Sequence, residues 1–411
     1  MLLARTTMIV ATTAALAFSA APAVAAPTPQ WHRELGRELR AVAVDADGNS
    51  YATGYVRSGA RRLRTLVLAK YAPDGTRRWV RTWRPISDSE TEGVDVAVGR
   101  DGRVYVTGSV HTLRYEGGGW VLRAYGPGGG LRWHHHDPGW RRGETSTAGA
   151  AVAVTRRMVV LAGNHEACCG ELAHDGWLLS FDPAGRRRWT NPFEVPGLAS
   201  FDVVTDVATG ARGAVFAVGG VDQKRATQAK PDVDQEVMVA RVDGANGSLD
   251  WVRVHREADD RDDDVATTVG VRGGVLAVGA RVDGGPVTSR WAERGHAWLG
   301  RISLGGDLLW SRVWGERHAK ASEPTALAIG PGGAIRVVGT TRGADDGVDA
   351  FLRTYAATGA RRSWVRIDVG RFLHGTGVAA GYNGGSVWVS AWRGTRTDDR
   401  PDGGRLWRYR P

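Results

Sequence analysis

Seven tryptophans recur in one short context, and their spacing constrains the fold more than any other feature of the chain. Trp31, Trp79, Trp133, Trp189, Trp251, Trp310 and Trp364 recur along it, and from Trp79 onward the intervals are 54, 56, 62, 59 and 54 residues. A period of that length, filled with strand-like runs, marks a radial or stacked repeat of sheets.

Each unit carries four such runs. The first is built of small and β-branched residues and keeps one tiny column: Ala43, Ala97, Ala153, Ala208, Gly270, Ala328 and Ala379. Innermost strands converge on an axis, where only Ala or Gly fits, and both faces of such a strand are apolar because other sheets cover them. The second run ends in glycine in six copies (Gly54, Gly108, Gly163, Gly219, Gly279, Gly339), the third is apolar and aromatic, and the fourth carries the tryptophan. Gly-rich turns such as Asp45–Asn49 and Pro73–Gly75 join first to second and third to fourth runs, as antiparallel hairpins require. No helical periodicity of useful length interrupts the pattern.

The seventh copy stops after its third run, whereas the segment around Trp31 precedes the first full copy. Joining the two closes a ring and protects the sheet edges. The sequence therefore predicts an all-β, seven-bladed β-propeller of four-stranded antiparallel blades, closed by the N-terminal strand. The expected units are 37–83, 84–137, 138–194, 195–255, 256–315, 316–370 and 371–411, with 29–35 as the closing strand.

Residues 1–26 read as a signal peptide: Arg5, an apolar run from Met8 to Ala20, and an A-x-A-like cleavage site near Ala25 or Ala26. The propeller then occupies 27–411, a secreted chain with no transmembrane segment after cleavage and an expected monomer. The formal charge of +10 comes almost wholly from arginine, since Lys70, Lys224, Lys230 and Lys320 are the only lysines. Those arginines are scattered through every unit rather than gathered in a stripe, so nucleic acid is not an expected partner.

An inner strand, Asp47-Gly-Asn49, Tyr51-Ala-Thr-Gly54, an apolar run ending Lys70-Tyr71, then Pro73-Asp-Gly75 and Trp79 together resemble the SBBP-type β-propeller repeat of secreted and cell-surface bacterial proteins. The resemblance covers residues 29–411 and is best in the first two copies. It implies fold and export; the family's motifs are structural, so it carries over no catalytic residue.

In an up-and-down blade the second-to-third loop and the blade connector leave on the same side, and here those are the long, irregular segments. Variable loops on a rigid frame are where recognition concentrates. Candidates for a ligand face are His165, Glu166, Arg290, Trp291 and His296, since aromatic, basic and acidic side chains together suit a sugar or peptide. Glu92, Asp202, Asp264 and Glu323, with Glu38 and the acidic run from Asp259, are candidates for a carboxylate ring at the channel mouth, with Ca²⁺ as its metal and no other cofactor expected. Solvated acidic connectors are common, and plain surface is the favoured reading of these residues. Cys168 and Cys169 are the only cysteines, and in an exported protein they are a candidate vicinal disulfide, with a simple loop staple or free thiols as the alternatives. His134, His135 and His136 cannot all face one metal on a strand and read as a strand end, and Asp45–Asn49 reads as a hairpin turn rather than a calcium loop.

No G-x-S-x-G, H-E-x-x-H or P-loop is present. The favoured function is a binding or scaffold module offering its long-loop face to a protein or polysaccharide partner. The alternative is an extracellular hydrolase or lyase with an acidic or metal-assisted site at the channel mouth.

Overall fold

Seven four-stranded antiparallel sheets stand around a central axis. The computed structural model describes residues 29–35, 38–113, 118–137, 146–166, 174–193, 203–222, 235–255, 264–282, 295–315, 319–343, 347–367, 373–381, 386–393 and 403–409. Blade 1 runs Glu38–Val44, Ser50–Ser58, Leu63–Tyr71 and Arg77–Trp83 from the axis outward. Blades 2 to 6 repeat that order, beginning with inner strands Ser89–Val98, Ser146–Val154, Val203–Thr209, Val265–Arg272 and Ala319–Ile329. Blade 7 uses Leu373–Ala380, Val387–Arg393 and Gly403–Tyr409, and takes its outer strand, Pro29–Glu34, from the other end of the chain. Beyond two one-turn 3-10 segments, Ala211–Gly213 and Pro331–Gly333, the described residues contain no helix.

The tiny column works as a spacer between inner strands. At Gly270 an added Cβ would stand 2.5 Å from Leu327 Cδ1 of the next blade. Between these strands and the middle of each blade lie the apolar clusters, each shared by two neighbouring blades, such as Tyr51, Leu66 and Leu68 with Val96, Val104 and Val106. The core is thus a ring of seven inter-blade layers rather than one central mass.

The tryptophan column forms the outer latch between blades. Five of the seven indole N–H groups reach forward to a carbonyl in the third-to-fourth turn of the next blade: Trp31 to Pro73, Trp79 to Pro127, Trp133 to Pro183, Trp189 to Gly244 and Trp310 to Ala357, at 2.9–3.1 Å. The ring lies on that turn's glycine, which has positive φ and no room for a side chain; a Cβ on Gly185 (φ +89°) would sit 2.7 Å from Trp133. Two residues on, Arg33, Arg81 and Arg312 donate Nε to the same turn's glycine carbonyl, as Asn191 does with its amide. His135 holds that place in blade 2, 2.6 Å from Gly185 O, while His134 and His136 stack on the opposite face.

Candidate functional site

Every inner strand contains a β-bulge at the same place, and the extra residues are Arg40, Val94, Ala150, Thr205, Thr267, Thr325 and Thr376. A bulge re-aims its side chain and bends the strand. Here all seven line a central cavity of about 400 Å³. In blades 4 to 7 the threonine hydroxyls donate to the next blade: Thr205 to Ala266 O, Thr267 to Pro324 O, Thr325 to Gly375 O and Thr376 to Leu39 O, at 2.5–2.7 Å. Such bonds satisfy the carbonyls that the bulges free from their ladders.

The residue after the bulge is a carboxylate in two blades. Asp95 accepts from the N–H of Val96 (2.7 Å) and of Val152 in blade 3 (2.8 Å); Asp206 accepts from Val207 (2.7 Å) and from Val269 in blade 5 (2.7 Å). Thr268 bonds Asp206 and in turn accepts from Leu327 N–H of blade 6. Both carboxyls sit deep in the body and keep only the channel as solvent. Desolvation pushes Asp95 up to about 6, and desolvation followed by the charge of Asp95 pushes Asp206 up to about 7, against the lowering effect of their N–H donors.

Towards the long-loop end the proposed carboxylate ring is broken into separate parts. Glu38, Glu92 and Glu323 occupy equivalent places two residues before the bulge, in blades 1, 2 and 6, and His374 holds that place in blade 7. Arg40 lies 2.6 Å from Glu38 and 3.8 Å from Glu92, and Arg64 holds Glu92 at 3.2 Å and Glu90 at 2.9 Å, so Glu92 is engaged by two guanidinium groups. Burial pushes the Glu323 carboxyl up, against the opposing charge of Arg281, and pushes His374 down to about 4 with help from Arg40. Asp264 is buried just before its strand, outside that register. Among the described residues no group of three or more His, Cys, Asp or Glu side chains is placed to hold a metal. Asp202 and the run 259–263 lie outside the described residues. In the Asp45 turn, both carboxylate oxygens are taken by Asp47 N–H, Asn49 and the Tyr51 hydroxyl.

Of the ligand-face candidates, His165 and His296 are placed and Glu166 is placed by its backbone, pairing in register with Ser146 and His174. Arg290, Trp291, Cys168 and Cys169 lie outside the described residues. His296 is exposed at the start of the third strand of blade 5. His165 lines a recess of about 250 Å³ at the long-loop ends of blades 2 and 3, with Trp120, Asp137, Trp177 and Phe193. Its ring is 6.1 Å from Trp177, which stands 5.8 Å from Trp120. Trp177 is buried, and its indole N–H has no acceptor among the described residues. A second recess, about 340 Å³, opens one blade back between Trp83, Ile86, His134 and His136. Trp120, Trp177 and Trp83 escaped sequence reasoning because they read as plain strand residues, while His134 and His136 drew notice only as a strand end; the seams between blades are what group them.

No known family model and no curated protein matches the sequence. Among solved structures, a protein of unknown function from Dyadobacter fermentans is similar over 94% of this chain and 100% of its own, with a TM-score of 0.51 at 10% identity. The quinohemoprotein alcohol dehydrogenase from Comamonas testosteroni is similar over 93% of this chain and 76% of its own, with a TM-score of 0.47 at 14% identity. Identities this low speak for fold alone. The molecule is a seven-bladed β-propeller, a fold that supports scaffold and binding roles in general.

Proposed function

We propose that the protein is a secreted propeller of the SBBP type that binds a glycan or a glycan-bearing partner on its long-loop face, without catalysing a reaction. The observation that carries this reading is the recess of Trp120, Trp177, His165 and Asp137 at the long-loop ends of blades 2 and 3. Tryptophan faces accept the apolar faces of sugar rings, and the Asp137 carboxylate and the His165 imidazole offer hydroxyl partners beside them. Export is supported by the charged, apolar and small-residue sequence of 1–26.

A polysaccharide and oligosaccharide screen by thermal shift on the exported protein tests the proposal, because a ligand stabilises the state it binds. Trp120→Ala and His165→Ala should each weaken the best binder about tenfold, and His165→Ala should do so while leaving melting without ligand nearly unchanged. Equal binding by both variants would sink this reading. A chain that stays inside the cell with residues 1–26 intact would sink the export claim.

The hydrolase or lyase reading rests on Asp95 and Asp206, whose acidities lie near neutrality inside the channel. Their oxygens, however, already accept N–H groups that tie adjacent blades, which favours a binding frame over a catalytic pair. Release of reducing ends by the wild type but not by Asp206→Asn would reverse that preference.

A further inference from the structure

The end of the channel away from the long loops has a different chemistry. There a cavity of about 930 Å³ opens among the inner turns of blades 2 to 5 and extends between blades 4 and 5. Each of these four blades contributes an arginine to its lining: Arg100, Arg156, Arg212 and Arg272, with Arg241 as a fifth from the third strand of blade 4. Among the described residues no acidic side chain lines it. Of the nearby carboxylates, Asp101 lies 3.5 Å from Arg103, outside the lining, whereas Asp250 lies 3.1 Å from Arg241, so the fifth arginine is already paired. The scattered arginines of the sequence therefore converge in space, one per blade, which linear inspection could not reveal.

We propose that this tight-turn mouth is a binding site for a small organic polyanion, a molecule carrying two or more phosphate or carboxylate groups.

Three further observations support it. First, the positive charge reaches the neighbouring blade: burial holds Arg336 of blade 6 below the usual arginine range, and the charges of Arg362 and then Arg272 add to it. Second, Arg212 holds a left-handed backbone (φ +58°) in the 3-10 turn Ala211–Gly213. The matching turn of blade 6, Pro331–Gly333, has Gly332 (φ +71°) at that position. Glycine adopts this conformation without cost and arginine does not, and a strained residue retained at a cavity rim is a pointer to function. Third, the cavity enters the blade 4–5 seam where the tryptophan latch lacks its hydrogen bond. Trp251 has no acceptor for its indole N–H among the described residues, and Leu304, from the turn that would supply one, lines the cavity instead.

Guanidinium forks suit phosphate and carboxylate oxygens, and several around one rim suit a ligand with more than one such group. Phe216, Val271 and Leu304 supply an apolar wall for an organic body. Asp95 and Asp206 stand deeper on the axis, so an anion is attracted to the mouth and turned back from the channel. The site lies at the opposite end of the propeller from the recess of Trp120 and His165 and stands independently of it.

Titration calorimetry on the full mature chain with pyrophosphate, citrate and ATP, at physiological salt, tests the proposal. At least one should bind saturably with one site per chain; pyrophosphate and ATP without citrate identify a phosphate site, citrate alone a carboxylate site, and ATP over pyrophosphate a role for the apolar wall. Arg156→Ala combined with Arg212→Ala should weaken the best binder about tenfold or more. Arg77→Ala with Arg78→Ala, which removes the same charge from the exposed outer strand of blade 1, should leave it unchanged. Arg212→Gly should weaken binding and raise the melting temperature together, a pairing that a purely structural residue would not give. Absence of saturable binding by all three probes, equal losses in the two double variants, or full binding by Arg212→Gly would overturn it.

Discussion

The seam between blades 3 and 4 and the seam between blades 4 and 5 use the same parts and close differently. At the first, Trp189 is buried, its indole N–H bonds Gly244 O at 2.9 Å, and Asn191 adds a bond to Gly247 O. Nearer the axis, Asn164 and Val204 exchange two bonds at 2.8 Å. At the second seam Trp251 is only half-buried and its N–H has no acceptor among the described residues, while near the axis Asp206 clasps Val269 N–H. One seam is held at the rim by an indole latch, the other near the axis by a buried carboxyl. Repeats that look alike in sequence can thus divide their holding energy differently, and they should respond to different perturbations.

The largest effect should come from the closed latch. Trp189→Ala removes a buried indole and its hydrogen bond and should cost about 3–5 kcal/mol, whereas Trp251→Ala should cost less than half of that; urea unfolding reads both. If the two variants unfold at the same midpoint, the contrast between the seams is wrong. Next is the turn on which the latch rests. Gly185→Ala places a Cβ at positive φ against the Trp133 ring and should cost about 2–3 kcal/mol. Gly128→Ala, in a neighbouring turn with open space around it, is the matched control and should be nearly silent.

The clasped seam should respond to pH instead. Asp206 is raised to about 7 in the fold from an ordinary value of 3.8. The folded state therefore binds more protons than the unfolded chain between those values, and stability falls as pH rises. The contribution is fully present below about pH 4 and is lost by the time pH passes the folded value. Denaturant midpoints measured across that range should slope downward, and Asp206→Asn should flatten the slope; an unchanged slope would remove Asp206 from the account. The smallest effect belongs to Trp364, 40% exposed, whose forward neighbour in blade 7 is the join between Tyr409 and Pro29 rather than a turn. Trp364→Ala should stay within about 0.5 kcal/mol of the wild type in the same assay.

These contrasts show what a single sequence can disclose. The blade count, the strand order and the closing role of Trp31 are written in spacing and alternation, which act within one unit. The reason for each tryptophan is not, because its acceptor lies one blade onward, as Trp79 and Pro127 show. Bulges leave no compositional trace, so Thr205 and Asp206 read as ordinary strand residues although one lines the channel and the other clasps the next blade. The same holds for His165: its residue type drew notice, but its neighbours Trp120 and Trp177 come from two different blades. Glu92 drew notice as a metal ligand, and its engagement by Arg40 and Arg64 is likewise a contact between blades.

The closing strand has one more consequence, and it concerns attachment. Pro29 lies opposite Tyr409 in the last sheet, so the chain enters and leaves the described fold at one point, on the tight-turn side of blade 7. A linker, fusion partner or solid support joined before Pro29 or after Tyr409 would hold the ring from that side at a single corner. The long-loop face would then point away from whatever carries it, free to meet a large partner without steric conflict.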